Sequence, residues 1–284
     1  MKKIFLLGIG AQKSGTTWLH DQLSKCTNVD LGFIKEYHVF DALFSKHCAR
    51  YKQKLVSDLV NPKLNLDNLL LKKKLEFIEN PDNYFNYFNG LISNNTDVQL
   101  VGDITPAYSM LHSEHFTFIK EGLTRRGFDV RVVFIMRDPF DRAWSMLRMN
   151  RDNIKRKNPE HELTTNEEQA LLDTYKKPDS VLRTTYERTI LEIEKVFAAN
   201  EIFYGFYETF FNNENYTQLE KFLGINIGTP NFRLKINDVK ISNSLSVSTK
   251  SEIVNFYSNT YSFISSRFGS KVKDIWEGYK YIHN

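Results

Sequence analysis

Short apolar runs alternate along the chain with longer amphipathic stretches. The runs predicted as buried strands lie at 4–7, 29–34, 132–136 and 202–208. Apolar residues recur at helical spacing over 16–25, 180–200 and 251–268, which predicts amphipathic helices there. Strands that are apolar on both faces are typical of parallel sheets. The sequence therefore predicts an α/β fold, with a central parallel β-sheet and helices on both of its faces.

Polar insertions separate these units. A lysine-rich helical pattern covers 69–78, and the three consecutive lysines within it are expected to face solvent. An aromatic segment at 80–89 is expected to pack as a loop. We predict one domain over 1–284, with helical insertions at about 42–100 and a flap at about 150–180.

Composition narrows the function classes. Hydrophobic residues make up 41% of the 284 residues, enough for a large core, and the net charge of +4 does not indicate a nucleic-acid partner. Cys26 and Cys48 suit neither a disulfide framework nor a zinc site, so a reducing, cytoplasmic location without a bound metal is expected. No apolar run approaches the ~20 residues of a membrane span. The first run is interpreted as a strand, since its cleavage as a signal peptide after Ala11 would destroy the loop that follows.

The turn after the first strand carries the densest candidate chemistry. It is rich in glycine and leads into a helix predicted to begin at Thr16. The N–H groups and the positive dipole end of a helix start attract anions, and Lys13 adds a charge. The sequence therefore predicts a phosphate site on this turn. Its candidate contacts are Gln12, Lys13, Ser14, Gly15, Thr16, Thr17 and Trp18.

The spacing of this turn differs from that of two common nucleotide loops. In the nucleoside-triphosphate loop a lysine directly follows the last glycine, whereas here Thr16 follows Gly15 and the lysine comes earlier. The dinucleotide pattern G-x-G-x-x-G would need a third glycine where Lys13 stands. A P-loop-like kinase that uses magnesium nevertheless remains an alternative hypothesis.

A second strand-to-helix junction lies at residue 137. Asp138 and Pro139 are residue types typical of a helix N-cap and first turn. Arg137 stands at the strand end, and its planar guanidinium suits a phosphate. Ser145 follows about two helical turns after Asp138. This junction is a second candidate anion site.

Both junctions resemble those of the sulfotransferases that use 3′-phosphoadenosine 5′-phosphosulfate (PAPS). The sequence QKSGTTWL at 12–19 is similar to their 5′-phosphosulfate loop, and 137–145 is similar to their 3′-phosphate motif R-D-P-x-x-R-x-x-S. The resemblance implies a P-loop-like sulfotransferase fold with PAPS as the donor, PAP as the product and no metal. It also implies that Lys13 is catalytic and that Arg137 and Ser145 contact the 3′-phosphate.

Glu36 is the candidate general base. It follows a predicted strand, whose carboxyl end would face the ligand cleft, and a carboxylate can take a proton from a hydroxyl or amine. The segment KEYHVFD at 35–41 resembles the K-E-x-H-F-F segment of the heparan sulfate branch of the family, where the glutamate is the catalytic base. The resemblance implies sulfuryl transfer to a hydroxyl or amine of a saccharide or small-molecule acceptor. The candidate acceptor-side residues are Lys35, His38, Asp103 and Tyr108.

The segment 100–108 resembles the E-K-T-P-A-Y segment of that branch, with two departures. Asp103 replaces the glutamate, and Ile104 replaces a lysine that in the family lies near the transferring group. A catalytically silent PAP-binding protein is therefore a further alternative. Where the family often closes over the 3′-phosphate its Arg-Lys-Gly is missing, and none of the local residues is assigned a contact. Those residues are Arg233, Lys235, Lys240 and Asn243.

Overall fold

A computed structural model describes residues 3–59, 68–162, 165–233 and 245–282. Its strands are β1 (Lys3–Gly10), β2 (Val29–Asp30), β3 (Leu100–Ile104), β4 (Phe128–Met136) and β5 (Ile202–Phe206). The helices before β4 are α1 (Thr16–Leu23), α2 (Phe40–Phe44), α3 (Ala49–Leu59), α4 (Asn68–Glu79), α5 (Pro81–Asn94) and α6 (Ser113–Thr124). The helices after β4 are α7 (Pro139–Lys157), α8 (Glu167–Leu172), α9 (Pro178–Thr184), α10 (Tyr186–Glu194), α11 (Tyr207–Phe210), α12 (Asn213–Leu223), α13 (Val247–Phe256), α14 (Ser258–Phe268) and α15 (Val272–Ile275). Short 3₁₀ helices cover Pro106–Met110, Ala199–Glu201 and Glu277–Tyr281.

The strands of the described residues form one parallel five-stranded sheet in the order β2-β3-β1-β4-β5. The central strand β1 pairs with β3 on one side and with β4 on the other. The chain leaves β1 towards β2 and leaves β4 towards β5, so the two connections diverge. Such a divergence opens a crevice at the carboxyl ends of the two strands. The predicted α/β fold with a central parallel sheet is confirmed.

Alternate side chains of β1 enter two separate cores. Phe5 points to one face, where its ring meets that of Phe88 of α5 with the centroids 5.0 Å apart. Leu6 points to the other face, into a core with Leu19 of α1 and Leu219 of α12. Burial on both faces explains why the strand is apolar at successive positions. Within the described residues, no helix combines the length and apolarity needed to cross a membrane.

The helices inserted between β2 and β3 pack on the first of these cores. Leu55 of α3, Phe77 of α4 and Tyr84 of α5 are all buried in it. The prediction of a loop at 80–89 is wrong, because residues 81–89 belong to α5. The side chain of Asn80 caps that helix by accepting the N–H of Asp82, and a proline follows the cap.

Two other boundaries differ from the prediction. The predicted strand at 29–34 ends at Asp30, whose carboxylate accepts the N–H of Gly32 over 2.8 Å, and Gly32 turns the chain with φ of 76°. The helix predicted over 180–200 is interrupted at Thr185, where α9 ends and α10 begins. Glu36 therefore lies on an irregular loop after β2 rather than at a strand end.

Two further stretches are divided differently from the prediction. The helix predicted over 251–268 is interrupted at Tyr257, between α13 and α14. The predicted flap at about 150–180 begins inside α7, which continues to Lys157.

Candidate active site

The two predicted phosphate junctions meet in the structure. Nη1 of Arg137 donates a hydrogen bond to the carbonyl oxygen of Lys13 over 3.1 Å, although the residues are 124 positions apart. Because β1 and β4 are paired neighbours, their carboxyl ends open into the same crevice. One crevice thus carries both the glycine-rich turn and the strand-end arginine.

The turn between β1 and α1 has the geometry of an anion site. Lys13 and Gly15 have φ of 72° and 82°, in the left-handed region, which turns the backbone sharply before Thr16. No side chain of the described residues caps this start of α1, so its N–H groups are open to a ligand. The Ser14 hydroxyl is buried and has no hydrogen-bond partner in the described part of the chain. A phosphate oxygen would satisfy both kinds of donor.

Positive charge is concentrated beside this turn. Burial is the largest cause of the lowering of the pKa of Lys13 to about 8. The positive charges of Arg137, Lys35 and Arg148 lower the pKa of Lys13 in the same direction. An anion bound among these cations would relieve their repulsion, and such charge clusters are typical of functional sites.

The second junction is built as its sequence predicts. Asp138 caps α7 by accepting the N–H of Phe140 over 3.0 Å, and Pro139 occupies the first turn. The carboxylate of Asp138 also accepts the Tyr261 hydroxyl and the N–H of Gly278, the latter over 2.7 Å. The C-terminal part of the chain therefore stabilises this helix start.

Arg137 is held from two sides. Its guanidinium lies over the ring of Tyr207, 4.3 Å from the centroid, and its carbonyl oxygen accepts the Tyr186 hydroxyl over 2.8 Å. Its Nε is buried and has no hydrogen-bond partner among the described residues. Ser145 is buried two turns further along α7. Arg142, in contrast, donates to the Thr184 hydroxyl over 2.9 Å, in the protein interior.

Glu36 belongs to a chain of ionisable groups that runs from Lys35 to Asp41. Its carboxylate contacts the Lys35 ammonium with one oxygen and lies 3.2 Å from Nε2 of His38 with the other. Nδ1 of His38 is in turn 2.7 Å from the carboxylate of Asp41. Burial alone would raise the pKa of Glu36, but the His38 hydrogen bond and the Lys35 charge lower it to about 2. Glu36 is therefore a carboxylate at neutral pH.

The same contacts keep His38 charged. Burial alone would lower the pKa of His38, but hydrogen bonds and charges from Asp41 and Glu36 raise it to about 9. His38 has φ of 55°, and its ring packs on Tyr51 with the centroids 4.7 Å apart. At neutral pH this loop consequently holds a histidinium between two carboxylates.

The charges of the Glu36 loop act on the glycine-rich turn and on α1. Burial lowers the pKa of His20 on α1, the Lys35 charge lowers it further, and the Glu36 charge opposes both. Lys35 also acts on Lys13 of the glycine-rich turn. The Glu36 loop is therefore within electrostatic range of the turn and of α1.

The sequence of this chain matches one known protein family. A family profile described as "Sulfotransferase domain" matches residues 2–266. The chain belongs to the sulfotransferase family. It is thus a sulfuryl-transferring enzyme. A search of curated protein sequences gave no match.

One solved structure supports this sulfotransferase fold, and a second is more distantly similar. A sulfotransferase from Alicyclobacillus acidocaldarius is 15% identical, with 94% of this chain and 96% of that chain covered and a TM-score of 0.57. Mouse sulfotransferase SULT7A1, solved with PAP, is 17% identical, with 80% of this chain and 61% of that chain covered and a TM-score of 0.42. At such identities the similarity concerns the fold alone.

Several predicted site residues are more buried than expected. Asp103 and Tyr108 are fully buried, and their role on the acceptor side stays a prediction. Trp18 is 3% exposed, stacks on Phe232 with the ring centroids 5.7 Å apart, and donates its indole N–H to the carbonyl oxygen of Asn231. A donor contact by Trp18 stays a prediction. The described residues do not include Lys235, Lys240 and Asn243, to which the sequence assigns no contact.

One of the lysines expected to face solvent is buried. Lys74 is 3% exposed, and its ammonium donates to the backbone carbonyl oxygen of Glu36 over 3.2 Å. A signal for this contact existed in the sequence, because Lys74 lies three positions before Phe77 and four before Ile78, both buried on α4. The expectation for Lys74 is therefore corrected.

Two further contributors are not among the site residues predicted from the sequence. Glu208 accepts the N–H of Asp138 over 2.9 Å and the indole N–H of Trp276 over 3.0 Å, and burial raises its pKa to about 7. Tyr207 supports the Arg137 guanidinium. Both residues follow β5, far from either junction in sequence. Among the described residues, no group of three or more His, Cys, Asp and Glu side chains could hold a metal ion.

The histidinium predicts a pH-dependent stability difference. The pKa of His38 rises on folding from an ordinary 6.5 to about 9, so its stabilisation is complete below pH 6.5 and is lost as pH rises through 9. His38→Asn retains a side chain that tolerates the left-handed backbone. We expect the free energy of unfolding, measured in urea, to fall between pH 6.5 and 9 by roughly 2 kcal/mol more in the wild type than in His38→Asn. His47→Asn, at an exposed position, is the control and should follow the wild type. Parallel curves for wild type and His38→Asn would contradict this charge assignment.

Proposed function

We propose that this sulfotransferase uses PAPS as its donor and transfers the sulfuryl group to a hydroxyl or amine, with Glu36 as the general base. The observation that carries the proposal is the hydrogen bond from Arg137 to the Lys13 carbonyl oxygen, which joins two anion-binding corners in one crevice. PAPS is anionic at two separated ends, its phosphosulfate and its 3′-phosphate. Two adjoining corners match that distribution of charge.

The two corners divide the donor between them. Lys13, the open N–H groups of α1 and the Ser14 hydroxyl would hold the phosphosulfate. Arg137, whose Nε has no partner within the described residues, and Ser145 would hold the 3′-phosphate. When bound, PAPS supplies an activated sulfuryl group and leaves as PAP. Lys13 would stabilise the charge that develops on the leaving phosphate.

Glu36 acts on the acceptor. Its carboxylate takes the proton of the acceptor hydroxyl or amine while the acceptor atom forms its bond to sulfur and the bond from sulfur to the phosphate oxygen breaks. A carboxylate with a pKa near 2 is ionised but weakly basic. Lys35 contacts Glu36 and also lies close enough to affect Lys13. A move of Lys35 towards the donor would leave Glu36 a stronger base.

The residue Ile104 does not by itself favour a silent protein. Its side chain is buried in the core that contains Leu6, and its branched atoms lie against Gly8. Lys35 and Lys74 bring ammonium groups to the Glu36 loop instead. We therefore propose an active enzyme that lacks the strand-end lysine. The proposal of a saccharide acceptor depends on the resemblance of the 35–41 segment to that of the heparan sulfate branch.

Arg137→Ala tests the donor site. We expect micromolar-class binding of PAP to the wild type in isothermal titration calorimetry. Loss of a charge-assisted contact of about 1.5–3 kcal/mol should weaken the affinity of Arg137→Ala for PAP roughly 10- to 100-fold. Arg125→Ala, at an exposed surface arginine, is the matched control and should bind normally. Undiminished binding of PAP by Arg137→Ala, or magnesium-dependent preference for ATP over PAP in the wild type, would refute the donor assignment.

Glu36→Gln separates binding from turnover. The amide cannot take the acceptor proton, so turnover should fall about 100- to 10,000-fold while PAP affinity stays within a small factor. Turnover is measured with radiolabelled PAPS and heparosan, naphthol or water as the acceptor, where release of inorganic sulfate reports transfer to water. Glu114→Gln, at an exposed glutamate on α6, controls for the loss of a surface charge. If Glu36→Gln retains turnover, Glu36 is not the base.

A further inference from the structure

A buried carboxylate lies beneath the Glu36 loop. Asp103, in β3, has no exposed surface and accepts hydrogen bonds from the hydroxyls of Thr105, Tyr108 and Tyr84, over 2.6, 2.7 and 3.0 Å. Burial raises its pKa to about 6, opposed by these hydrogen bonds, so Asp103 is mainly ionised at neutral pH and can only accept. All three hydroxyl protons are therefore directed at one carboxylate.

Two of the hydroxyls also bind the backbone next to Glu36. The Thr105 oxygen accepts the N–H of Tyr37 over 3.0 Å and, at 3.5 Å, that of His38. The Tyr108 oxygen accepts the N–H of Val39 over 3.3 Å. A hydroxyl that donates its proton to Asp103 presents its lone pairs elsewhere, here to three consecutive amides. The carboxylate thus sets the orientation of the groups that hold the loop.

The loop needs such a support. His38 has φ of 55°, a backbone conformation that costs free energy for a residue other than glycine and persists only where surrounding contacts enforce it. The Lys74 ammonium also binds the backbone carbonyl oxygen of Glu36. Asp103 is paired with Leu7 of β1, close to the end of the strand that leads into the glycine-rich turn. The glycine-rich turn and the hydrogen bonds that support the Glu36 loop therefore lie towards the same end of the sheet, where β1 and β3 have their carboxyl ends.

We propose that Asp103, acting through the Thr105 and Tyr108 hydroxyls, is the positioning residue that sets the Glu36 carboxylate against the donor corner. The proposal rests on the proposed role of Glu36 as the base. Within the described residues, no hydrogen bond joins Asp103, Thr105 or Tyr108 to Lys13 or Arg137, so the support is expected to affect turnover without affecting donor binding. A misplacement of about 1 Å at a reacting group can cost about 100-fold in rate.

The chain offers matched variants for the test. Thr105→Val removes the hydroxyl at nearly constant volume, and Thr105→Ser restores it. Tyr108→Phe removes a hydroxyl that binds both Asp103 and the Val39 amide, whereas Tyr84→Phe removes a buried hydroxyl whose described contact is Asp103. Tyr84→Phe therefore controls for the loss of a buried hydrogen bond to the same carboxylate.

We expect Thr105→Val and Tyr108→Phe to lower kcat about 10- to 100-fold, with KM for PAPS and affinity for PAP unchanged. The measurement is turnover of radiolabelled PAPS with heparosan, naphthol or water. Thr105→Ser and Tyr84→Phe should stay close to the wild type. In a Glu36→Gln background, Thr105→Val should cause little further loss, since the base it positions is already absent.

Each other outcome has a definite meaning. Turnover retained in Glu36→Gln refutes the proposed function itself. If Glu36→Gln loses turnover but Thr105→Val and Tyr108→Phe keep it, the positioning role alone is refuted. Equal losses in Tyr84→Phe and Tyr108→Phe, or full additivity with Glu36→Gln, would also refute it, because the effect would then be general destabilisation. Should Thr105→Val fail to fold, the comparison of Tyr108→Phe with Tyr84→Phe decides.

Discussion

The hydrogen bond between Arg137 and the Lys13 carbonyl oxygen constrains the rest of this structure, because it joins two positively charged corners. The ammonium of Lys13 lies among the charges of Arg137, Lys35 and Arg148, which repel one another. Such an arrangement is unfavourable unless the surrounding protein enforces it or an anion compensates it. The cap at Asp138 and the carboxylate of Glu208 enforce it from the second corner. An anionic donor would then bind to a site whose electrostatic cost is already met by folding.

Charge is divided across the central strand. On the β4 side lie the arginine and the helix start that suit the donor, and on the β3 side a loop holds Glu36, a histidinium and Asp41. This separation matters because the surrounding cations would lower the basicity of a general base that lay inside their cluster. Lys35 is the contact between the two halves, since it pairs with Glu36 and also acts on Lys13. In the proposed mechanism, donor binding and the basicity of Glu36 are coupled through this one side chain.

The sequence predicts the two corners well because each is local. A strand, a turn and a helix start are encoded within about 20 residues, and the residues that cap α7 or turn the chain at Gly15 act on their own neighbours. Long-range contacts leave no such pattern. The Thr105 hydroxyl binds an amide 68 positions away, and Glu208 binds the Asp138 amide 70 positions away. For the same reason the sequence does not predict the burial of Asp103. It predicts too long a β2 because the turn at Gly32 interrupts an apolar run.

The departure at Ile104 is understandable in the same terms. Neighbouring residues of a strand point to opposite faces, and here Asp103 faces the core under the Glu36 loop while Ile104 faces the core with Leu6. A lysine at Ile104 would have to extend from that second core towards the sheet edge. The chain instead brings Lys35 on the loop and Lys74 on an inserted helix to Glu36. Positive charge near the proposed base thus depends on how the insertion packs, which links the helices before β3 to the loop that carries Glu36.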